Sequence, residues 1–120
     1  MIRVLLADDA AEMRLLVRLA LEMDGRFEIV GDAADGFEAI ELMELQHPDV
    51  IVLDMAMPRM DGLQVLAEMK TRGSRSKVLA FSGFDEGVER EATGLGADDF
   101  VRKGDTPIED LVPRLIALCA

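Results

Sequence analysis

The chain has no tryptophan and no tyrosine, a single cysteine, a single histidine, and 13 Lys and Arg against 24 Asp and Glu. With one thiol, Cys119 cannot close an internal disulfide, and no Cys/His spacing offers a structural zinc site. The cysteine usage is that of a reducing compartment, and Cys119 is expected to pack near the C-terminus. The formal charge of −11 excludes binding of a nucleic-acid backbone by this chain, because that contact needs clustered Lys and Arg. An acidic surface suits a bound cation or a basic partner, and solubility alone also accounts for it. There is no apolar run of membrane-spanning length. The opening MIRVLLADD is too short and too acidic for a signal peptide, so the expected location is the cytoplasm. Internal repeats, low-complexity tracts and linkers are likewise absent.

What remains is 120 residues, 50% hydrophobic and 31% charged, enough for one soluble domain over residues 1–120 with a core of its own. Short apolar runs alternate with helical patterns. The runs Arg3 to Ala7, Phe27 to Gly31, Asp49 to Leu53, Lys77 to Phe81 and Asp99 to Arg102 read as strands. Several are apolar throughout, as in parallel sheets covered on both faces. Asp35 with Glu38, Asp61 with Gln64, and Thr106 with Glu109 have the spacing of capping boxes at helix starts, and Pro107 then falls at a first helical position. In the first helix Met13, Leu16, Val17 and Ala20 form one apolar stripe assigned to the core. The helix Glu86 to Leu95 is weakened by Gly87 and Gly94, and Pro113 is expected to kink the last helix midway. His47, before Pro48, reads as a turn residue. Five strands alternating with five helices predict an α/β fold. The expected form is a (βα)5 flavodoxin-like, doubly wound parallel sheet of strand order 2-1-3-4-5.

Ligands of such sheets bind beyond the carboxyl ends of the strands. There the sequence places Asp8 and Asp9 after the first strand, Asp54 after the third, Ser82 after the fourth and Lys103 after the fifth. The first and third strands are neighbours, so three carboxylates crowd one corner. Fully ionised, they must take up protons or bind a cation. Mg²⁺ suits hard oxygen ligands and keeps several of its waters. A central carboxylate beside an ammonium and a hydroxyl can form an aspartyl phosphate, which makes Asp54 the candidate nucleophile. The plainer alternatives are that Asp8 and Asp9 cap the first helix and that Lys103 and Asp54 merely end strands.

ADD at 7–9, LDMAMPRMDG at 53–62, Ser82-Gly83 and Phe100-Val-Arg-Lys103 together resemble the CheY-like receiver domain of two-component response regulators, over essentially the whole chain. ADD, EIVGDAADG and KGDTPIEDL are most similar to receivers of the NarL/FixJ type, which precede a helix-turn-helix output domain. The resemblance implies that Asp54 accepts a phosphoryl group from a sensor histidine kinase or phosphotransfer protein. It implies Mg²⁺, or Mn²⁺ in its place, on Asp8, Asp9, Asp54 and the Ala56 backbone carbonyl. Ser82 and Lys103 would contact the phosphoryl oxygens, and Ser82 with Phe100 would form the switch that alters the surface of helix 4, strand 5 and helix 5. An output domain or downstream protein, and a phosphorylation-dependent homodimer, are the partners it brings; an enzyme acting on other molecules is not implied.

The pattern departs at Gly104, where many relatives carry a proline after a cis bond; a cis bond to glycine is disfavoured, and a looser loop is expected. Ala56 and Phe84 lie two residues beyond Asp54 and Ser82, beside the family's hydrolytic water, and neither can orient it, so slow self-dephosphorylation is expected. Rival readings are a docking module that is never phosphorylated and a small Mg²⁺-dependent phosphatase working through an aspartyl phosphate, for which short loops leave little room. A flavodoxin would need a phosphate loop, and this chain has none.

Overall fold

The run Val50–Leu53 has no polar face, and a strand of that kind is stable only where both sides of a sheet are covered. A computed structural model describes residues 1–83 and 86–120, and of residue 86 the backbone alone. In chain order it contains β1 (Ile2–Ala7), α1 (Ala11–Asp24), β2 (Phe27–Ala33), α2 (Gly36–Gln46), β3 (Val50–Leu53), α3 (Gly62–Thr71), β4 (Lys77–Ser82), α4 (Glu86–Gly94) and β5 (Asp99–Arg102). A 3₁₀ turn (Ile108–Asp110) then leads into α5 (Leu111–Cys119). All strands are parallel, in the order β2-β1-β3-β4-β5. This is the expected flavodoxin-like topology.

Alternate residues of each strand feed two cores. On one face Leu5, Ala7, Ile51, Leu53, Val78 and Ala80 meet α2, α3 and α4 through Ile40, Met43, Val65, Leu66, Met69 and Ala92. On the other, Val4, Leu6, Val50, Val52, Leu79 and Phe81 meet Val17 and Leu21 of α1 and Leu111 and Leu115 of α5. β3 is buried at all four positions. The edge strand β2 is half-exposed and runs two residues past the expected end; its register against β1 shifts between Val4 and Leu5, so that Ile29 and Gly31 pair with consecutive residues.

Three local expectations need correction. Of the proposed α1 stripe only Val17 is buried; Leu16 is 49% exposed, and the core row is Val17 and Leu21 with Met13 packed against it. Thr106 does not cap a helix: it pairs back with Lys103, while Pro107 stays extended at ψ 142 ahead of the 3₁₀ turn. Pro113 consequently sits in the first turn of α5, not midway along a helix. The Glu109 carbonyl that its missing N–H would have served already accepts from the Leu111 amide, so the proline costs no interior bond.

The other two helix-start signals hold, one of them in part. Asp61 and Gln64 form a reciprocal capping box, and Asp35 caps α2. Glu38 reaches the Ala34 amide at 2.7 Å instead of that of Asp35. His47 ends α2 in a left-handed conformation, its N–H donating to Met43, and Cys119 is half-buried against the α1/α5 core.

Candidate functional site

The order reverses between β1 and β3, and the crevice at their carboxyl ends is the switch point of the sheet. Backbone bonds carry the strands' alignment into it: the Asp54 amide donates to Ala7 at 2.9 Å and the Asp8 amide to Ala33 at 3.0 Å. Asp8, Asp9 and Asp54 each turn an oxygen into one space, those atoms all lying within 4.8 Å of one another. Asp9 is exposed, whereas Asp8 and Asp54 are 6% and 4% exposed. Two buried carboxylates beside a third form a hard oxygen donor set of the kind that holds a small divalent cation.

Lys103 closes the corner from β5. Its ammonium donates to Asp8 Oδ2 at 2.6 Å and lies 3.3 Å from Asp54 Oδ2, and it sits 5.6 Å from the centre of the Phe81 ring. The other Asp54 oxygen accepts from the Ser82 hydroxyl at 3.3 Å and the Ala56 amide at 3.1 Å. Burial pushes the Asp54 carboxyl above its ordinary pKa, and the charge of Asp8 adds to the rise; the Ala56 amide and Lys103 oppose it without cancelling it. For Lys103, burial works against the charged form. The hydrogen bond to Asp8 and the charges of Asp54 and Asp8 outweigh it and hold the ammonium above its usual range.

Every site residue named from sequence that falls in the described segments is thus at or beside this corner, except Phe100. Phe100 pairs with Ala80 in the β4/β5 register and packs on the α3/α4 side of the sheet. Phe84 lies outside the described residues, and Ala56 is exposed. The Asp pair does not cap α1 through N2 or N3: Asp8 Oδ1 accepts from the Ala10 amide at 2.9 Å, and α1 begins without a side-chain cap. After Lys103 the chain turns tightly, Gly104 at φ 87 and Thr106 bridging back to Lys103. The expected slack is therefore answered by a turn whose backbone proline could not adopt. Among the described residues no peptide bond is cis.

Sequence reasoning missed Arg14, whose guanidinium donates to the Asp8 carbonyl and lies 3.7 Å from Asp32. An Arg one turn into a helix that follows an Asp pair was the available signal. It also missed the pairing of Asp35 with Arg59.

The family model for the response regulator receiver domain matches residues 4–115. The chain belongs to the receiver family. The receiver is 36% identical over 104 residues to the chemotaxis protein CheY of Listeria monocytogenes, covering 86% of this chain and 87% of that protein. It is 43% identical over 106 residues to a protein-glutamate methylesterase/protein-glutamine glutaminase of Methanospirillum hungatei, covering 86% of this chain but 31% of that protein. The receiver therefore spans about a third of the length of the methylesterase relatives it matches. Among solved structures, the signal receiver domain of the response regulator NarL from Mycobacterium tuberculosis superimposes with a TM-score of 0.86 at 37% identity, over 94% of each chain. As a receiver with CheY and methylesterase relatives and a clustered set of Asp residues, it is a phosphoacceptor module of two-component signalling. No helix among the described residues is long and apolar enough to cross a membrane.

Proposed function

We propose that residues 1–120 act as one receiver in which Asp54 takes the phosphoryl group, from a sensor histidine kinase or a phosphotransfer protein on the cytoplasmic side. The carrying observation is that one buried carboxylate has the Ser82 hydroxyl on one oxygen and the Lys103 ammonium beside the other, both at 3.3 Å. In the transfer an Asp54 oxygen forms the new bond to phosphorus, the phosphorus–nitrogen bond of the donor phosphohistidine breaks, and the imidazole leaves with the bonding pair. Lys103 and Ser82 are placed to neutralise and hold the phosphoryl oxygens as charge builds on them.

The donor set fits Mg²⁺, or Mn²⁺ in its place, held by Asp8, Asp9, Asp54 and the Ala56 carbonyl. Bound there, the cation would neutralise the phosphoryl oxygens and the surplus negative charge of the corner. Three residues do the rest of the work. Lys103 sets a positive charge against both Asp8 and Asp54. Ser82 can turn its hydroxyl from Asp54 to the incoming phosphoryl oxygen, and Phe100, two register pairs away on the same face of the sheet, moves with it. The surface altered is that of α4, β5 and α5, and the readers are an output domain or a downstream protein. The chain would catalyse only its own phosphorylation and a slow dephosphorylation, since the exposed Ala56 offers no group to orient a water.

Intact mass after incubation with Mg²⁺ and acetyl phosphate tests the reading. One added phosphoryl group on the wild type and none on Asp54→Asn is the expected result. No addition to either protein, with Mg²⁺ binding verified separately, would instead support a docking module that signals without phosphorylation.

A further inference from the structure

The loop that follows Asp54 is pinned to a neighbouring helix by an ion pair outside the carboxylate corner. Asp35 accepts from the Glu38 amide at 2.9 Å through one oxygen, and from the Arg59 guanidinium of the β3–α3 loop through the other. The Asp35 side chain is 3% exposed and that of Arg59 is 70% exposed, so a buried carboxylate is neutralised by an arm laid over it from outside. The Glu38 amide first, and Arg59 with it, hold the Asp35 carboxyl below the usual range against the opposing effect of burial.

One residue along on each side, the Gly36 amide donates to the Met60 carbonyl at 3.0 Å. The approach is so close that a Cβ at Gly36 would stand 2.3 Å from that oxygen. Arg59 itself has φ 65, a left-handed conformation unfavourable for residues with a Cβ. The loop then closes through the Gly62 amide on the Met55 carbonyl at 3.0 Å. Ala56 lies inside this closed loop, between the pinned end and Asp54, and its amide already rests on Asp54.

We propose that Asp35 and Arg59 are positioning residues, a clasp that holds the β3–α3 loop with the Ala56 carbonyl facing the carboxylates and so sets the affinity of the corner for a divalent cation. This rests on the reading of Ala56 as a backbone ligand of that cation. The clasp acts through the loop and touches neither cation nor phosphoryl group. Its loss therefore weakens binding without altering the groups that react.

The test is calorimetric titration of the full chain with MgCl₂, together with the rate of labelling by acetyl phosphate at low and saturating Mg²⁺. Arg59→Ala should weaken Mg²⁺ binding by about three- to tenfold, at or below the effect of removing a group bonded directly to a metal ligand. Arg59→Gly accepts the left-handed backbone without strain but has no arm, and it should weaken binding as much. Arg59→Lys should recover part of the loss. Asp35→Asn keeps the helix cap and loses the charge; it should match Arg59→Ala, and the double variant should be no worse than either single one. Saturating Mg²⁺ should restore the labelling rate in each. Wild-type Mg²⁺ affinity in Arg59→Ala and Arg59→Gly, with only a lowered melting temperature, would reduce the pair to a structural staple and overturn the inference. Wild-type affinity in Arg59→Gly alone would overturn it too, by assigning the effect to the backbone conformation and not to the pair. Undiminished Mg²⁺ binding by Asp8→Asn and Asp54→Asn would remove the cation site itself, and the inference with it, whatever the Arg59 variants do.

Discussion

Replacing Asp54 by asparagine should make the metal-free protein more stable, even as it removes the proposed phosphoryl acceptor. Asp8, Asp9 and Asp54 present oxygens within 4.8 Å of one another, and Lys103 is the cation placed on the two buried members. With all four groups charged, the corner carries two surplus negative charges. At an effective dielectric of about 20, each like-charge contact of Asp54 at that separation costs about 3.5 kcal/mol, and Lys103 at 3.3 Å returns about 5 kcal/mol. The Asp54 charge is thus unfavourable by about 2 kcal/mol before its burial is counted, and salt reduces the figure. Asparagine keeps an oxygen for the Ala56 amide and the Ser82 hydroxyl. The expected gain is about 1–3 kcal/mol at pH 7 in low salt with chelator, or about 4 °C in melting temperature for each kcal/mol.

Urea unfolding across pH supplies the check. Because the native pKa of Asp54 is raised, the native state binds more protons than the unfolded one between the ordinary carboxyl pKa near 3.9 and the raised value. Wild-type stability must therefore fall relative to the variant as pH rises through that window, with the two proteins alike below it. Adding Mg²⁺ at about 100 times its Kd should return about 2.7 kcal/mol to the wild type and less to the variant. An Asp54→Asn protein no more stable than wild type at pH 7 with chelator would refute the charge accounting. Lys103 would then compensate the corner fully by itself.

Lys103→Met removes the cation shared by two buried carboxylates and should cost about 3 kcal/mol in urea unfolding, about half of it recovered by adding Asp54→Asn. Since the Lys103 pKa is raised, the wild-type advantage should persist through neutral pH and fade only as pH climbs past about 10.4. Gly62→Ala puts a Cβ 2.5 Å from the Asp54 carbonyl oxygen; it should cost about 2–3 kcal/mol and slow acetyl phosphate labelling measured by mass. Gly104→Pro imposes a φ near −65° on a residue at φ 87, and although it restores the residue many relatives carry, it should slow labelling by up to about 100-fold by shifting Lys103. Hydrogen exchange of α4 should rise or fall on phosphorylation while that of the β3 amides stays constant; equal α4 protection in both states would refute the switch.

The central strand β3 was legible because burial on two faces leaves a signature that sequence alone carries: it is buried at all four positions and begins and ends within a residue of its apolar run. β2 was less so. As an edge strand it is half-exposed, and the shift at Gly31 lets polar Asp32 stay in register with Leu6, so an apolar run was the wrong measure of its length. In α1 the sequence allows two stripes. Leucine, methionine, valine and alanine crowd positions 13–21, and only packing against Phe27 and Leu111 selects Val17 and Leu21 over Leu16. The carboxylate corner was readable because each member directly follows a strand and the topology brings strand ends together. Arg14 left only the signal of an Arg one turn into a helix behind an Asp pair, and the Asp35–Arg59 pair left none, because it joins a helix cap to a loop whose relative placement no local pattern encodes. Thr106 and Pro107 had the composition of a helix start. What displaced that start was the tight turn after Lys103, in which Thr106 is already committed to a bridge.

The same edge explains how a chemical event at one corner can reach a surface. β5, like β2, is an edge strand paired on one side only, and of the two it is the one that leads into the site. It leads into Lys103 beside the carboxylate cluster and carries Phe100 against the α3/α4 core. Arg102, two residues from Phe100 on the same face, pairs with Glu89 of α4 at 3.2 Å, and the Lys103 amide hangs on the Ser82 carbonyl at 2.7 Å. Ser82 and Lys103, the two groups proposed to meet a phosphoryl oxygen, are thus tied through the end of one short strand, and that strand holds α4 by a ring and an ion pair. Among the described residues α4 buries Ala92 alone completely, and glycines at 87 and 94 weaken it further. On the proposed switch, the charge crowding at the corner and the weakly held helix are two ends of one device: an uneven charge makes binding consequential, and a loosely packed helix makes the consequence visible at the surface.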